Sequence, residues 1–193
     1  MKKPLNQLST EELGQLFPIE IVPYSDSWAK DFENEKNTLQ EKLGEKTALR
    51  IEHFGSTAVN GLSAKPIIDI LIEIPVLTES LKQEIISKMS ELDYQFIWRT
   101  DNEIPYMNFV KGYTPEGFSG KTFHVHMADK NHNLWDRIYF RDYLRLYPEV
   151  AKQYENLKIE LAEKYRFNRE DYTEAKSDFI KSVTEKAVKE LKN

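Results

Sequence analysis

Apolar residues at Trp28, Phe32, Leu39 and Leu43 recur along an otherwise charged run, the stripe of a packing helix that Gly44 ends. Ahead of it, Ser9 with Glu12 makes a capping-box pattern that opens a short helix stopping near Pro18. Ile19 to Val22 predicts a brief strand, and Pro23-Tyr24-Ser25-Asp26 turns the chain. The period then shortens: Ala48 to Phe54 reads as a strand, and Ile67 to Ile74 as a second one rich in isoleucine. A helix follows from Leu77 to Leu92, started near Thr78. Three further strands are predicted at Tyr94 to Trp98, Pro105 to Gly112 and Lys121 to Met127, with a turn in YTPEGFSG between the last two. From Leu134 the pattern is helical: one helix to Tyr147, a break at Pro148, one to about Tyr165, and a last from Tyr172 to the end. With no internal repeat and no low-complexity linker, this predicts an α+β fold in one domain over residues 1–193. Its mixed β-sheet of about five strands is flanked by helices, and the C-terminal third, from about residue 134, is helical.

Alternation turns the second strand into geometry. Ile68, Ile70, Ile72 and Ile74 line one face, a core face, while Ile67, Asp69, Leu71 and Glu73 line the other, which is left available for chemistry. Carboxylates two residues apart on a strand sit about 7 Å apart and can converge on metals roughly 4 Å apart, whereas four apart means about 13 Å. Glu73 is therefore a poor second carboxylate for Asp69, and the position that would supply one is Leu71. A salt-bridged polar residue at a strand edge is the plain alternative for Asp69.

Gly55-Ser56-Thr57, between the first two strands, is a turn whose glycine permits close backbone approach and whose hydroxyls and amides can hold phosphate oxygens. The run GSTAVNGLSAK is not a P-loop: five residues separate its glycines, and Lys65 comes four residues after the second. Lys65 can neutralise a phosphate in the same pocket or simply lead, solvated, into the strand. His53, just before the turn, is read as a hydrogen-bonder that fixes the loop.

Four separated segments, IEIVPYSDSWAKDFENE, HFGSTAVNGLSAKPIIDILIEI, TFHVHM and IYFRDYLRLYPEVAKQYENLKIELAEKY, together resemble the GrpB family, which is similar in fold to the nucleotidyltransferase superfamily. In that superfamily a glycine-serine turn binds nucleotide phosphates, and an Asp-x-Asp/Glu pair with a third acid on a later strand holds divalent metals. The resemblance therefore implies phosphate binding by Gly55 and Ser56 and metal binding by Asp69, with Leu71 departing from the pattern. It implies a nucleotidyl- or phosphoryl-transfer enzyme, a nucleotide- or phosphate-binding module that has lost its chemistry, or an accessory domain acting with a dephospho-CoA kinase.

The third acid is also replaced. Thr122, His124, His126 and Ala128 share one strand face, so the two imidazoles project together. Asp69 with His124 and His126 makes a two-histidine, one-carboxylate metal set, better suited to manganese, iron, nickel or zinc than to magnesium. The same histidines can instead bind an anion, or one can serve as a general base. A structural edge-strand pair is the remaining alternative. Arg137, Arg141 and Arg145 recur at four-residue intervals and read as a phosphate-binding row, or as a solvated face paired with Asp142. Arg137 and Arg141 are the stronger candidates, because they follow the His-x-His strand closely.

Charge and composition narrow the partners. Lys and Arg number 27 against 32 Asp and Glu, a net charge of −5, which disfavours bulk nucleic-acid binding and leaves a small phosphate-bearing ligand as the expected partner. Zero cysteines exclude thiolate chemistry and disulfides. No h-region follows the amino-terminal lysines and no run approaches a membrane span, so the chain is expected in the cytoplasm.

Overall fold

A computed structural model describes residues 3–99 and 105–192; Met1, Lys2 and Asn193, at the ends of the predicted domain, lie outside the described residues. Five strands, β1 (Arg50–Phe54), β2 (Ile67–Glu73), β3 (Gln95–Arg99), β4 (Tyr106–Thr114) and β5 (Gly117–Ala128), form one sheet in the order β1-β2-β5-β4-β3. Among the described residues only the β2–β5 pair is parallel. The helices are α1 (Thr10–Leu16), α2 (Ser27–Leu43), α3 (Glu79–Ser90), α4 (Asp136–Leu146), α5 (Pro148–Lys164), α6 (Arg169–Glu174) and α7 (Ser177–Leu191). This is the α+β mixed sheet with a helical C-terminal third that the sequence predicts, with a glycine-serine turn between β1 and an Asp-bearing β2.

Local signals account for most boundaries. The Ser9 hydroxyl accepts from the Glu12 amide at 3.1 Å and the Glu12 carboxylate accepts from the Ser9 amide at 2.8 Å, a reciprocal cap on α1. Thr78 caps α3, and Gly44 ends α2 at φ 83°. Two expectations need correction. Ile19 to Val22 is not a strand: Val22 alone bridges to Ala64, because Pro18 and Pro23 bracket the segment and neither has an amide hydrogen to extend a ladder. The last helix, predicted as continuous from Tyr172, is two helices, α6 and α7, and α6 begins earlier, where the Asn168 side chain accepts from the Asp171 amide.

The β4–β5 hairpin is longer than predicted, with only Pro115 and Glu116 between the strands. Its register shifts between Lys111 and Tyr113, where Gly112 alone stands opposite residues 119–122 of β5. There φ is 91° and a Cβ would stand 2.7 Å from the Lys121 carbonyl, so only glycine fits.

One face of the sheet is the main core. Ile68, Ile70, Ile72, Phe109, Phe123, Val125 and Met127 pack against the α2 stripe of Trp28, Phe32, Leu39 and Leu43 and against Ile85 and Met89 of α3. The opposite face is only partly covered. Leu71 packs there with Phe54, Tyr106, Ala128, Leu134 and Ile138 under the start of α4, while α5 and α7 bury Tyr154 and Val183 against Val59 and Leu62 of the β1–β2 connection. The uncovered remainder of that face carries the site. No helix among the described residues is long and apolar enough to cross a membrane.

Candidate functional site

Gly55 follows β1 at φ 71° and ψ −174°, a conformation restricted essentially to glycine. Its backbone lies against Asp69, so that a Cβ at residue 55 would stand 2.3 Å from Asp69 Oδ2 and 3.0 Å from both Asp69 Cβ and Cγ. Turn and carboxylate are thus one unit. Thr57, 3% exposed, donates its hydroxyl to the Ile67 carbonyl at 3.1 Å and shares a 3.0 Å hydrogen bond with His53 Nε2. Because the single hydroxyl proton goes to Ile67, the hydrogen in the second bond is assigned to His53 Nε2. His53 faces the core and stacks on Phe32; burial, with the Arg145 and Arg141 charges, pushes its pKa down to about 4. It is a neutral fastener of the turn, as expected from its position.

The arginine row divides. Arg141 is buried on α4 and fully engaged: Nη1 donates to Glu52 Oε2 at 2.9 Å and to the His53 carbonyl at 2.7 Å, while Nε and Nη2 bond Asp142. Arg145 donates to the Ala58 carbonyl at 2.7 and 3.1 Å. These two clamp the backbone on either side of Gly55-Ser56-Thr57. Arg137 alone faces the Asp69 carboxylate electrostatically. Of the residues assigned to phosphate, Gly55, Ser56, Lys65 and Arg137 are brought together around Asp69, whereas Thr57 and Arg141 have structural partners.

Asp69 and His124 are neighbours across the parallel pair, and His126 is paired with Leu71 one step along the same face. Asp69 Oδ1 is 3.6 Å from His124 Nδ1, and one potential ligand atom from each of Asp69, His124 and His126 lies within 4.8 Å of the others. The other nitrogen of His124, Nε2, is 2.7 Å from the Tyr113 hydroxyl, which also accepts from Arg169 Nη2 at 3.3 Å. A ring held by a hydrogen bond at one nitrogen while the other faces a carboxylate is the arrangement by which proteins orient metal-binding histidines. Three nitrogen and oxygen donors suit manganese, iron, nickel or zinc, which accept imidazole, better than magnesium, which favours oxygen. The residues therefore fit a single divalent ion.

They do not fit a pair of ions bridged by two carboxylates. Leu71 is 0% exposed within its own apolar cluster, and His126 stands beside Tyr106 and Phe54. The face read from alternation as free for chemistry is thus half site and half core. Across from His126 in the β4–β5 register is Asn108, 2% exposed, whose Oδ1 has no hydrogen-bond partner among the described residues.

Cations surround the single carboxylate. Burial pushes the Asp69 pKa up to about 6 even though Lys65, Arg137 and Lys176 oppose the shift. Burial, together with Arg169 and Lys176, lowers Lys65 to about 7; burial lowers Lys176 to about 8, with Arg137 and Arg169 adding to the effect and Asp69 opposing it. Lys65 and Lys176 both lie over the Tyr172 ring, at 5.1 and 4.0 Å from its centroid. Ser56 acts on the Tyr154 hydroxyl, which also feels the Asp69 and Arg137 charges. Such crowding of like charge is unfavourable until an anion enters.

The sequence reading missed Tyr113, Asn108, Tyr154, Arg169 and Lys176. Tyr113 belongs to the other strand face by simple alternation, and the left-handed Gly112 at the register shift re-aims it; the glycine inside a strand pattern is the available signal. The other four come from segments distant in sequence and carry no local motif.

The family described as GrpB protein matches residues 18–186. A UPF0157 protein from Pseudomonas aeruginosa is 39% identical over 88% of this chain and 68% of its own length. The UPF0157 protein YqkA of Bacillus subtilis is 33% identical over 88% of this chain, which spans 47% of that relative. Among solved structures, the conserved protein GrpB from Enterococcus faecalis is 30% identical with a TM-score of 0.75, covering 90% of this chain and 100% of that one.

Proposed function

The chain belongs to the GrpB family, and on that footing we propose that it binds a nucleotide or related phosphate-bearing small molecule over Asp69 and transfers a nucleotidyl or phosphoryl group from it. The observation that carries this reading is the convergence of Lys65, Arg137 and Lys176 on one half-buried carboxylate beside two imidazoles, in a protein of net charge −5. Cations concentrated against the overall charge mark a place for an anion.

Phosphoryl and nucleotidyl transfer need little covalent chemistry from a protein; they need positioning and neutralisation of charge on the phosphate oxygens. Lys65, Arg137 and Lys176 neutralise, and Arg169, which also orients Tyr113, stands beside them. Gly55 lets the phosphate approach the backbone at the point where a side chain would strike Asp69. Asp69, His124 and His126 would hold a divalent ion, whose chemistry is to polarise a phosphate oxygen. His124, held by its hydrogen bond to Tyr113, keeps Nδ1 turned toward the Asp69 carboxylate.

A second reading, binding without turnover, is favoured by one specific observation: the place of a second metal-binding carboxylate is the fully buried Leu71. The experiment separates the two. Equilibrium dialysis of purified protein with labelled ATP and UTP, with and without Mn²⁺ or Zn²⁺, and with glycerol or a ribonucleoside present as hydroxyl acceptor beside water, is followed by chromatography for the acceptor adduct and the pyrophosphate or nucleoside diphosphate that leaves. Binding that Asp69→Asn and Lys65→Gln weaken, with product released, supports transfer. Binding without product under any of these conditions supports the second reading, and absence of binding to all of them refutes both.

A further inference from the structure

Two of the cations near Asp69 also belong to a second cavity. Lys65 and Arg169, with Trp28, Pro66, Ile68 and Phe118, line a space of about 250 Å³ at the start of β2. We propose that this cavity is a ring-binding subsite: it takes the aromatic base of a nucleoside phosphate whose phosphates lie on Lys65, Arg169 and the remaining cations. The proposal rests on the phosphate-binding reading above and adds the part of the ligand that the cation cluster cannot recognise.

Size supports a ring. Pockets that enclose a whole drug-sized ligand run roughly 300–1,000 Å³, so this cavity holds one planar group of a ligand extending out of it. Chemistry agrees, because Trp28, Phe118, Pro66 and Ile68 offer ring and apolar surface beside the Lys65 and Arg169 cations, and the two carboxylates of the lining, Asp31 and Glu20, are paired with Lys121 and Arg166. Phe118, on the hairpin between β4 and β5, is 47% exposed, a large ring left open to solvent. It packs at 5.3 Å against Tyr113, the same residue that hydrogen-bonds His124, and at 5.0 Å against Phe17. Cavity and carboxylate cluster are therefore joined through Lys65 on one side and through Phe118 and Tyr113 on the other. An aromatic face gives sequence-tolerant stacking, so any base is accepted on this surface.

The test compares ligands with and without a ring. Calorimetric titrations use ATP, UTP and sodium tripolyphosphate on the full chain, wild type and Phe118→Ala, with tryptophan fluorescence recorded in parallel. Both nucleotides should bind roughly tenfold more tightly than tripolyphosphate. Phe118→Ala should remove most of that advantage and leave tripolyphosphate affinity unchanged. Only the nucleotides should change the tryptophan emission, and Trp28→Phe should diminish that change. Equal affinity for ATP and tripolyphosphate, or equal losses for both in Phe118→Ala, overturns the subsite and leaves the phosphate site standing. Failure of all three ligands to bind overturns the phosphate-binding reading and this one with it. Because Phe118 is largely solvent-facing, its truncation should not unfold the protein, which circular dichroism checks.

Discussion

Replacing Gly55 by alanine is the sharpest perturbation of the turn that cradles Asp69. At φ 71° and ψ −174° the residue occupies a region costing a non-glycine side chain about 1–3 kcal/mol. The new Cβ would also stand 2.3 Å from Asp69 Oδ2, well inside van der Waals contact, so the carboxylate must move or the turn must open. Together these place the destabilisation at roughly 3 kcal/mol, a fall in Tm on the order of 6–12 °C for a chain of this size. The assay is urea unfolding of Gly55→Ala, Asp69→Ala and the double variant. Asp69→Ala removes the atom at 2.3 Å and the Cγ at 3.0 Å, leaving the backbone penalty and the milder Cβ contact. The cost of Gly55→Ala should therefore fall by at least about 1 kcal/mol in the Asp69→Ala background. An equal cost in both backgrounds, or a cost below about 1 kcal/mol in the wild type, would show that Gly55 and Asp69 are not mechanically coupled.

Three other outcomes follow from the same geometry. Asp69 titrates near pH 6, above its unfolded value of 3.8, so its burial destabilises the fold most above pH 6 and the penalty disappears as pH falls below the unfolded pKa. Asp69→Asn should thus be more stable than the wild type at pH 8, by up to about 3 kcal/mol, with the difference vanishing near pH 4; chemical denaturation at both pH values that shows no such convergence contradicts the assignment. Arg141→Met leaves Glu52 and the His53 carbonyl without their buried donor and should cost about 3 kcal/mol or more in urea unfolding, while a loss under about 1 kcal/mol would reduce the clamp to a surface ion pair. Leu71→Asp, which places a second carboxylate two residues beyond Asp69, should lower Tm by about 10 °C or more because it drives a charge into an apolar cluster, and a normally stable variant would show that Leu71 borders the site after all.

How far these features could be read from the chain differs residue by residue. The β1-turn-β2 unit and the projection of His124 with His126 were legible because alternation and a glycine-serine turn are local properties. The α2 stripe was legible for the same reason, and all four of its residues are core. Leu71 shows the limit of alternation, which names a face without saying what covers it; here α4 covers Leu71 and leaves Asp69 open. The arginine row shows another limit. Residues four apart drift by about 40° around a helix, so those eight apart diverge by about 80°. Arg137 consequently meets the Asp69 field while Arg145 reaches the Ala58 carbonyl. Thr57 was read as a phosphate ligand from its residue type, but a hydroxyl donating to Ile67 and bonded to His53 serves the loop. Lys176 and Arg169 reach the site because the C-terminal helices fold back over the sheet, information held in tertiary packing alone.

Calorimetric titration of ATP in the presence of Mn²⁺ as pH is raised tests the phosphate site most directly. Lys65 and Lys176, lowered to about 7 and about 8 in the unliganded protein, lose their charge as pH rises through those values. A bound phosphate favours their ammonium forms, so binding should take up protons and weaken between about pH 7 and about pH 9. Lys176→Gln should bind more weakly at pH 7 and show a shallower pH dependence. Affinity that neither pH nor this substitution changes, or no binding at all, would contradict the assignment of these cations to a phosphate-bearing ligand.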